Sequence, residues 1–196
     1  MLGSKKLDEV RQRSEIGKYD ILPSNRDLAG AEIELVDVED REIRLKAALH
    51  PVLPDYDYIL IDCPPALSLL TLNGLCAARS VMIPMQCEYY ALEGLSDLVN
   101  TIRKVRSSLN PTLEIEGLLR TMFDPRNSLA QQVSDQLQQH FGNKVYRTII
   151  PRNVRLAEAP SYGKPVLYHD SLSKGTLAYL ALADEILKFA VQPAQA

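Results

Sequence analysis

Asp62 closes the apolar run Tyr58-Ile59-Leu60-Ile61 and is followed by Cys63-Pro64-Pro65. In an open parallel sheet, ligands sit beyond the carboxyl ends of the strands, so an acid there is placed like the magnesium-side carboxylate of a phosphoryl-transfer enzyme. An ordinary strand-end Asp capping the next turn gives the same pattern. Phosphoryl transfer also requires a phosphate cradle, a Gly-rich loop ending in Gly-Lys-Ser/Thr at a helix N-terminus. The chain has two Gly-Lys pairs. Gly17-Lys18 runs into Tyr19 with no glycine five positions before Gly17, and Gly163-Lys164 runs into Pro165, which lacks the backbone N–H a cradle uses. These 196 residues contain no phosphate loop.

The stretch Ile150 to Pro165 reads as a long, Pro-rich connection at a strand end, with Arg152 and Arg155 three apart. Long ordered loops often carry function. The Asn153 amide offers both a donor and an acceptor, suited to the edge of a purine. Arg126, in Phe123-Asp124-Pro125-Arg126, follows the previous strand, and two loops at one sheet edge would bring Arg126 and Arg155 near each other. The guanidinium fork matches phosphate oxygens. Other constellations carry less. Ser171 and Lys174 have Ser-x-x-Lys spacing with no companion motif, and Ser171 or Ser173 suits the cap of the last helix. His50, His140 and His169 lack the spacing of a shared helical ligand set, and Tyr89-Tyr90 suits packing more than stacking on a ligand. Cys63, Cys76 and Cys87 fit neither a zinc site nor a disulfide framework, leaving reduced, half-buried thiols.

The elements that must position these residues follow from apolar periodicity. Continuous apolar runs predict strands at Tyr58–Ile61, at Ser80–Ile83 stopped by Pro84, across Leu113–Phe123, at Val145–Ile150 stopped by Pro151, and more weakly at Tyr19–Leu22 before Pro23. Steps of three and four from Leu92 to Leu109, from Leu129 to Leu137 and from Leu177 to Leu187 predict helices, as does the acidic stretch Leu35–Leu49. Ser24 and Asn127 are candidate N-caps, Lys5–Glu15 a short leading helix, and Val191–Ala196 a frayed tail. Alternating strands and helices predict an α/β class, a mostly parallel sheet flanked by helices, in a single domain over 1–196.

Composition excludes several classes. Twenty-two Lys+Arg against 25 Asp+Glu give a net charge of −3, and 46% apolar with 24% charged residues is ordinary for a globular chain. No apolar run approaches the ~18 residues of a membrane span, and Met1–Arg13 has no apolar stretch for a signal peptide. The mean charge hides an asymmetry. Ala31–Asp62 holds nine acids and three bases (net −6), and Phe141–Gly175 six bases and two acids (net +4). Solvated helix faces or a patch for polyanions would both give this pattern.

Three strings are specific enough to carry a family resemblance: Tyr58-Ile-Leu-Ile-Asp-Cys-Pro-Pro65, Gln86-Cys-Glu-Tyr-Tyr-Ala-Leu-Glu-Gly-Leu95 and Ile150-Pro-Arg-Asn-Val-Arg-Leu-Ala-Glu-Ala-Pro160. With Leu28–Leu35 and Leu72-Asn-Gly74, they resemble the ParA/Soj chromosome-partitioning ATPases, a deviant Walker-A type, from about Tyr19 to the last helix. The resemblance implies a P-loop NTPase-like fold, ATP with Mg2+ as cofactor, and a homodimer on nonspecific nucleoid DNA. It also implies a ParB-type centromere-binding partner, a cytoplasmic, nucleoid-associated location and no membrane. Residue by residue, Asp62 matches the carboxylate that reaches magnesium through water in a complete protein. Pro151, Arg152 and Asn153 match the adenine-side loop, and Arg126 and Arg155 match DNA-binding positions.

The family's N-terminal phosphate-loop segment, on the order of 60 residues or two strand–helix units, has no counterpart here. The expectation is therefore an N-terminally truncated ParA-like domain with no intact catalytic set, neither ATP nor Mg2+ held tightly, and no hydrolysis. The phosphate-loop strand lies beside the Asp62 strand in the family, so Ile59 and Ile61 are expected along an exposed edge. The alternative is a nucleotide-independent DNA-binding or dimer-interfering fragment.

Overall fold

The computed structural model describes residues 2–3, 5–64 and 66–191, the side chains at 189–191 excepted. Of the expected frayed tail, all but its first residue lies outside them. Contacts group the chain into two compact units, Met1–Val81 with Val99–Glu114, and Met82–Leu98 with Ile115–Ala196.

In the first unit, the leading helix is shorter than its polar stretch suggested, α1 spanning Leu7–Val10. It leads into β1 (Gln12–Arg13), which pairs antiparallel with β2 (Asp20–Ile21), Gln12 opposite Ile21. Three helices follow, α2 (Asp27–Leu35), α3 (Arg44–Leu49) and α4 (Leu69–Ala77). The single acidic helix expected over Leu35–Leu49 is thus two pieces. Asp37, Glu39 and Asp40 lie in the turns between them, and Asp40 takes a left-handed φ of 55° that no helix accommodates. Ser24 caps nothing in α2; Asn25 Oδ1 accepts the Asp27 N–H at 3.0 Å instead.

Two motif strings prove structural here. From α2, Glu32 Oε1 accepts the Leu69 N–H at 2.8 Å and so joins Ser68 in satisfying the first turn of α4. Asn73, fully buried in α4, accepts the Leu45 N–H at 3.0 Å and donates to the Arg41 and Leu69 carbonyls at 2.7 and 3.0 Å. Leu35, Leu49, Leu75 and Cys76 are buried around this pairing.

The strand expected at Tyr58–Ile61 is absent. Residues 58–64 carry no ladder, Ile59 and Ile61 are half-buried rather than exposed, and Leu60 is the exposed one at 91%. An apolar run becomes a strand only where a neighbour takes its N–H and C=O groups, and no such neighbour lies among the described residues.

A three-stranded sheet, β3 (Ser80–Gln86), β4 (Glu114–Phe123) and β5 (Val145–Pro151), in the order β3-β4-β5, lies in the second unit from Met82 and Ile115 onward. β4 and β5 run parallel, Leu118 opposite Val145. The expected class, a parallel sheet flanked by helices, is what forms. Pro84 does not stop β3, because β3 is an edge strand and an edge position can spare the missing N–H. Pairings Arg120–Ile149 and Phe123–Pro151 advance three residues in β4 for two in β5, a bulge at which Met122 takes a left-handed φ of 50°.

Helices α5 (Ala91–Ser108) and α6 (Ser128–Phe141) match the periodic stripes, and Asn127 caps α6 by accepting the Leu129 N–H at 3.0 Å. The stretch after β5 is helical rather than a loop, with α7 (Val154–Glu158), a 3-10 turn at Ala159–Tyr162 and α8 (Val166–His169). The last helix, α9 (Lys174–Val191), is capped by Ser173, whose Oγ accepts the Thr176 N–H at 3.2 Å. Leu182 of α9 joins Leu119, Tyr146 and Ile150 in the core, with Ala178 and Ile186 packed alongside. Its neighbour Glu185 turns to the β5 edge and accepts the Arg147 and Thr148 N–H groups at 2.7 and 2.9 Å.

Candidate functional site

The carboxyl ends of β3, β4 and β5 enclose a cleft of about 130 Å³. Gln86, Cys87 and Glu88 come from the end of β3, Met122, Phe123 and Asp124 from that of β4, Asn127 and Ala130 from the start of α6, and Arg152 from just past β5. Convergence of three strand ends is where an open α/β sheet binds ligands. The β4 bulge sets one wall. The left-handed turn at Met122, strained for a side chain of its length, sits immediately before Phe123 and Asp124. The Arg152 N–H donates to the Phe123 carbonyl at 3.1 Å and ties the second wall to the first.

Asp124 is the most perturbed group of the cleft. Arg126 donates Nε and Nη2 to its two oxygens at 2.9 and 2.8 Å, and the Arg126 backbone N–H adds a third bond at 3.0 Å. These bonds, with the positive field of Arg126 and Arg152, lower the carboxyl to about 2. Cys87 is buried and its thiol pushed up by desolvation, so it lines the wall as a neutral group. Beneath the cleft in β4, Arg120 is 8% exposed and donates to Ser134 Oγ and to the Tyr146 carbonyl at 2.9 and 2.7 Å. Its Nε has no partner among the described residues, and burial lowers its pKa.

The sequence-derived residues divide into four groups. Arg152 lines the cleft, and Arg126 reaches it through Asp124. Pro151 ends β5, and Asn153 starts α7, its Oδ1 accepting the Arg155 N–H at 2.9 Å; that acceptor is committed to the helix rather than to a base edge. Arg155 enters a separate cluster. It donates Nη1 to Glu158 at 2.8 Å and lies 3.3 Å from Asp170 through Nε, while His169 Nε2 is 3.6 Å from Glu158 and stacks on Tyr162 at 4.7 Å. Asp62, in the other unit, is exposed and follows the segment without a ladder. Among the described residues no group of three His, Cys, Asp or Glu side chains could hold a metal ion. One exposed carboxylate does not make a magnesium site, since that ion takes one or two carboxylates together with positioned phosphates, and no phosphate loop exists in the chain to position them. Sequence reasoning reads Cys87 only as a half-buried thiol, whereas it is buried, and gives Glu88 and Asp124 no role; the Gln86–Leu95 string and the Phe123–Arg126 turn were the signals that contained them.

Similarity to known proteins runs the length of the chain. A family model described as an AAA domain matches residues 1–115. The sporulation initiation inhibitor protein Soj of Bacillus subtilis is 54% identical over 178 residues, covering 91% of this chain and 70% of Soj. The chain belongs to the ParA/Soj chromosome-partitioning family. A second ParA/Soj member, the chromosome partitioning protein ParA of Caulobacter vibrioides, is 48% identical over 189 residues, covering 95% of this chain and 71% of that protein. Among solved structures, cobyrinic acid a,c-diamide synthase from Mycobacterium smegmatis with bound ADP and magnesium superposes with a TM-score of 0.81 at 35% identity, covering 96% of this chain and 70% of that one. The fold of this ParA/Soj chain is therefore that of the P-loop NTPases, and none of its described helices is long and apolar enough to cross a membrane.

Proposed function

We propose that the chain is the cleft-bearing part of a ParA-type partition ATPase, with the cleft at the β3–β5 strand ends taking the adenine ring. The observation that carries this is the cleft itself, whose wall includes Arg152 of the Ile150–Pro160 string. At about 130 Å³ it lies well below the ~300 Å³ at which pockets for drug-sized ligands begin, a size for a planar ring rather than an entire nucleotide. On this view Arg152 borders the base, and Pro151 and Asn153 hold it there from the end of β5 and the cap of α7. Asp62 serves magnesium through water only where a phosphate loop supplies the phosphates. ATP-dependent dimerisation, nonspecific nucleoid DNA binding and control by a ParB-type partner belong to the complete protein, which is cytoplasmic and nucleoid-associated. The 196 residues alone bind ATP and Mg2+ weakly and do not hydrolyse ATP, because phosphoryl transfer is almost entirely positioning and electrostatics. The test is a phosphate-release assay on the purified chain. Turnover that co-purifies with it and is abolished by Asp62→Ala would overturn the proposal.

A second function, nucleotide-independent DNA binding, is favoured by the basic stretch Phe141–Gly175 and by the exposure of Arg126 and Arg155. It predicts salt-sensitive retention on DNA, the log–log slope falling by ~0.9 for each phosphate contact removed. Unchanged retention in the Arg126→Ala, Arg155→Ala double variant would rule it out.

A further inference from the structure

The two arginines assigned to DNA are not idle. The Arg126 side chain is 88% exposed, yet its fork is filled by both oxygens of Asp124. Arg155, 49% exposed, divides its fork between Glu158 of its own helix and Asp170 beyond α8. The Asp124 carboxylate cancels the charge of Arg126 itself, with Arg152 close enough to act on the same carboxylate. One plus charge and two carboxylates give the Arg155 cluster a net of −1, before any proton on His169. Each carboxylate oxygen occupies the place at the guanidinium that a phosphate oxygen would take.

We propose, resting on the DNA-binding function above, that Asp124, Glu158 and Asp170 are intramolecular competitors for phosphate that set the affinity and selectivity of Arg126 and Arg155. The Arg155 pairs are exposed and exchange readily, whereas the bidentate Asp124 clasp on Arg126 is the tighter of the two. A lone phosphate meets both arginines with their donors already engaged by carboxylates. Duplex DNA presents a charge about every 1.7 Å of its axis and gains by releasing condensed counterions, so it displaces several carboxylates together. The clasps therefore favour a polymer of phosphates over small inorganic anions at these two arginines.

The alternative is that these pairs only brace the turn after β4 and the α7–α8 corner; then their loss lowers stability and leaves DNA affinity unmoved. The experiment measures polarisation of a labelled mixed-sequence duplex by the full chain across a salt series. Thermal melts confirm that each variant folds, and the single variants Asp124→Asn and Glu158→Gln stand in if the Glu158→Gln, Asp170→Asn pair does not. Asp124→Asn, and separately Glu158→Gln with Asp170→Asn, are expected to tighten binding about tenfold and steepen the slope by ~0.9 per freed arginine. Adding Arg126→Ala to the first and Arg155→Ala to the second abolishes the gain. A charge-matched control, Glu93→Gln with Asp97→Asn on the exposed face of α5, is expected to change affinity less than about twofold. Unchanged or weaker binding in the carboxylate variants, or an equal gain in the control, overturns the proposal. The DNA-binding function fails separately, when Arg126→Ala with Arg155→Ala leaves the retention of the otherwise native chain unchanged.

Discussion

At Asp124, three bonds from one arginine decide the protonation of the cleft wall. The carboxyl, ordinarily near 3.8, is lowered to about 2. A group lowered on folding contributes stability that is complete above its unfolded value and lost as pH falls through its folded value. Asp124→Asn is therefore expected to lower the melting temperature above about pH 4 and to converge with the native chain only below about pH 2, a difference that a pH series of melts reads directly. At Asn73 the issue is satisfaction rather than charge. Three bonds hold a fully buried amide between α3, α4 and the turn at Arg41. Asn73→Ala strands the Leu45 N–H and the Arg41 carbonyl, and is expected to cost about 2–4 kcal/mol in urea unfolding.

Elements with enough length to show a period were legible. The stripe from Leu92 to Leu109 became α5, the four-residue steps from Leu129 became α6, and the caps at Asn127 and Ser173 stand where their residue types placed them. What was not legible is short or depends on a partner. α7 has five residues, too few for a period, and its start is fixed by the Asn153 cap rather than by any apolar pattern. The turn between α2 and α3 depends on the left-handed Asp40, a choice of backbone angle that acidic composition alone does not announce. Of the candidate site, Arg152 was legible from its string, whereas Asp124 and Cys87 were hidden because nothing in a linear sequence says that three strand ends converge. Edge protection of β5 belongs to the same scale. Burial pushes the Glu185 carboxyl up, but its bonds to Thr148 and the Arg147 N–H outweigh this and hold it below the usual carboxylate value. Glu185→Ala frees two edge N–H groups, so we expect a loss of about 1–3 kcal/mol in urea unfolding and concentration-dependent light scattering.

Over the whole molecule, the segment 58–64 is the place where the sequence asks for more than the described residues supply. Its apolar run is that of a strand covered on both faces, yet Leu60 is 91% exposed and no ladder forms. Such a run is a template for another chain's edge. Leu60→Lys is expected to leave unfolding stability within about 0.5 kcal/mol while suppressing self-association at high concentration; a large loss of stability instead would place Leu60 in a packed interior. The global charge of −3 likewise averages the acidic run Ala31–Asp62 against the basic run Phe141–Gly175.

One close approach in that segment has a practical side. A side chain on Gly74 would put its Cβ 2.7 Å from the Cys63 sulfur, so the glycine is what lets the segment lie against α4. Cys63 is also the exposed cysteine, Cys76 and Cys87 being buried, and desolvation with the nearby Asp62 raises its pKa. The chain thus carries a slow, singly addressable handle, and a bulky reagent coupled there acts as a wedge between the Asp62 segment and its helix.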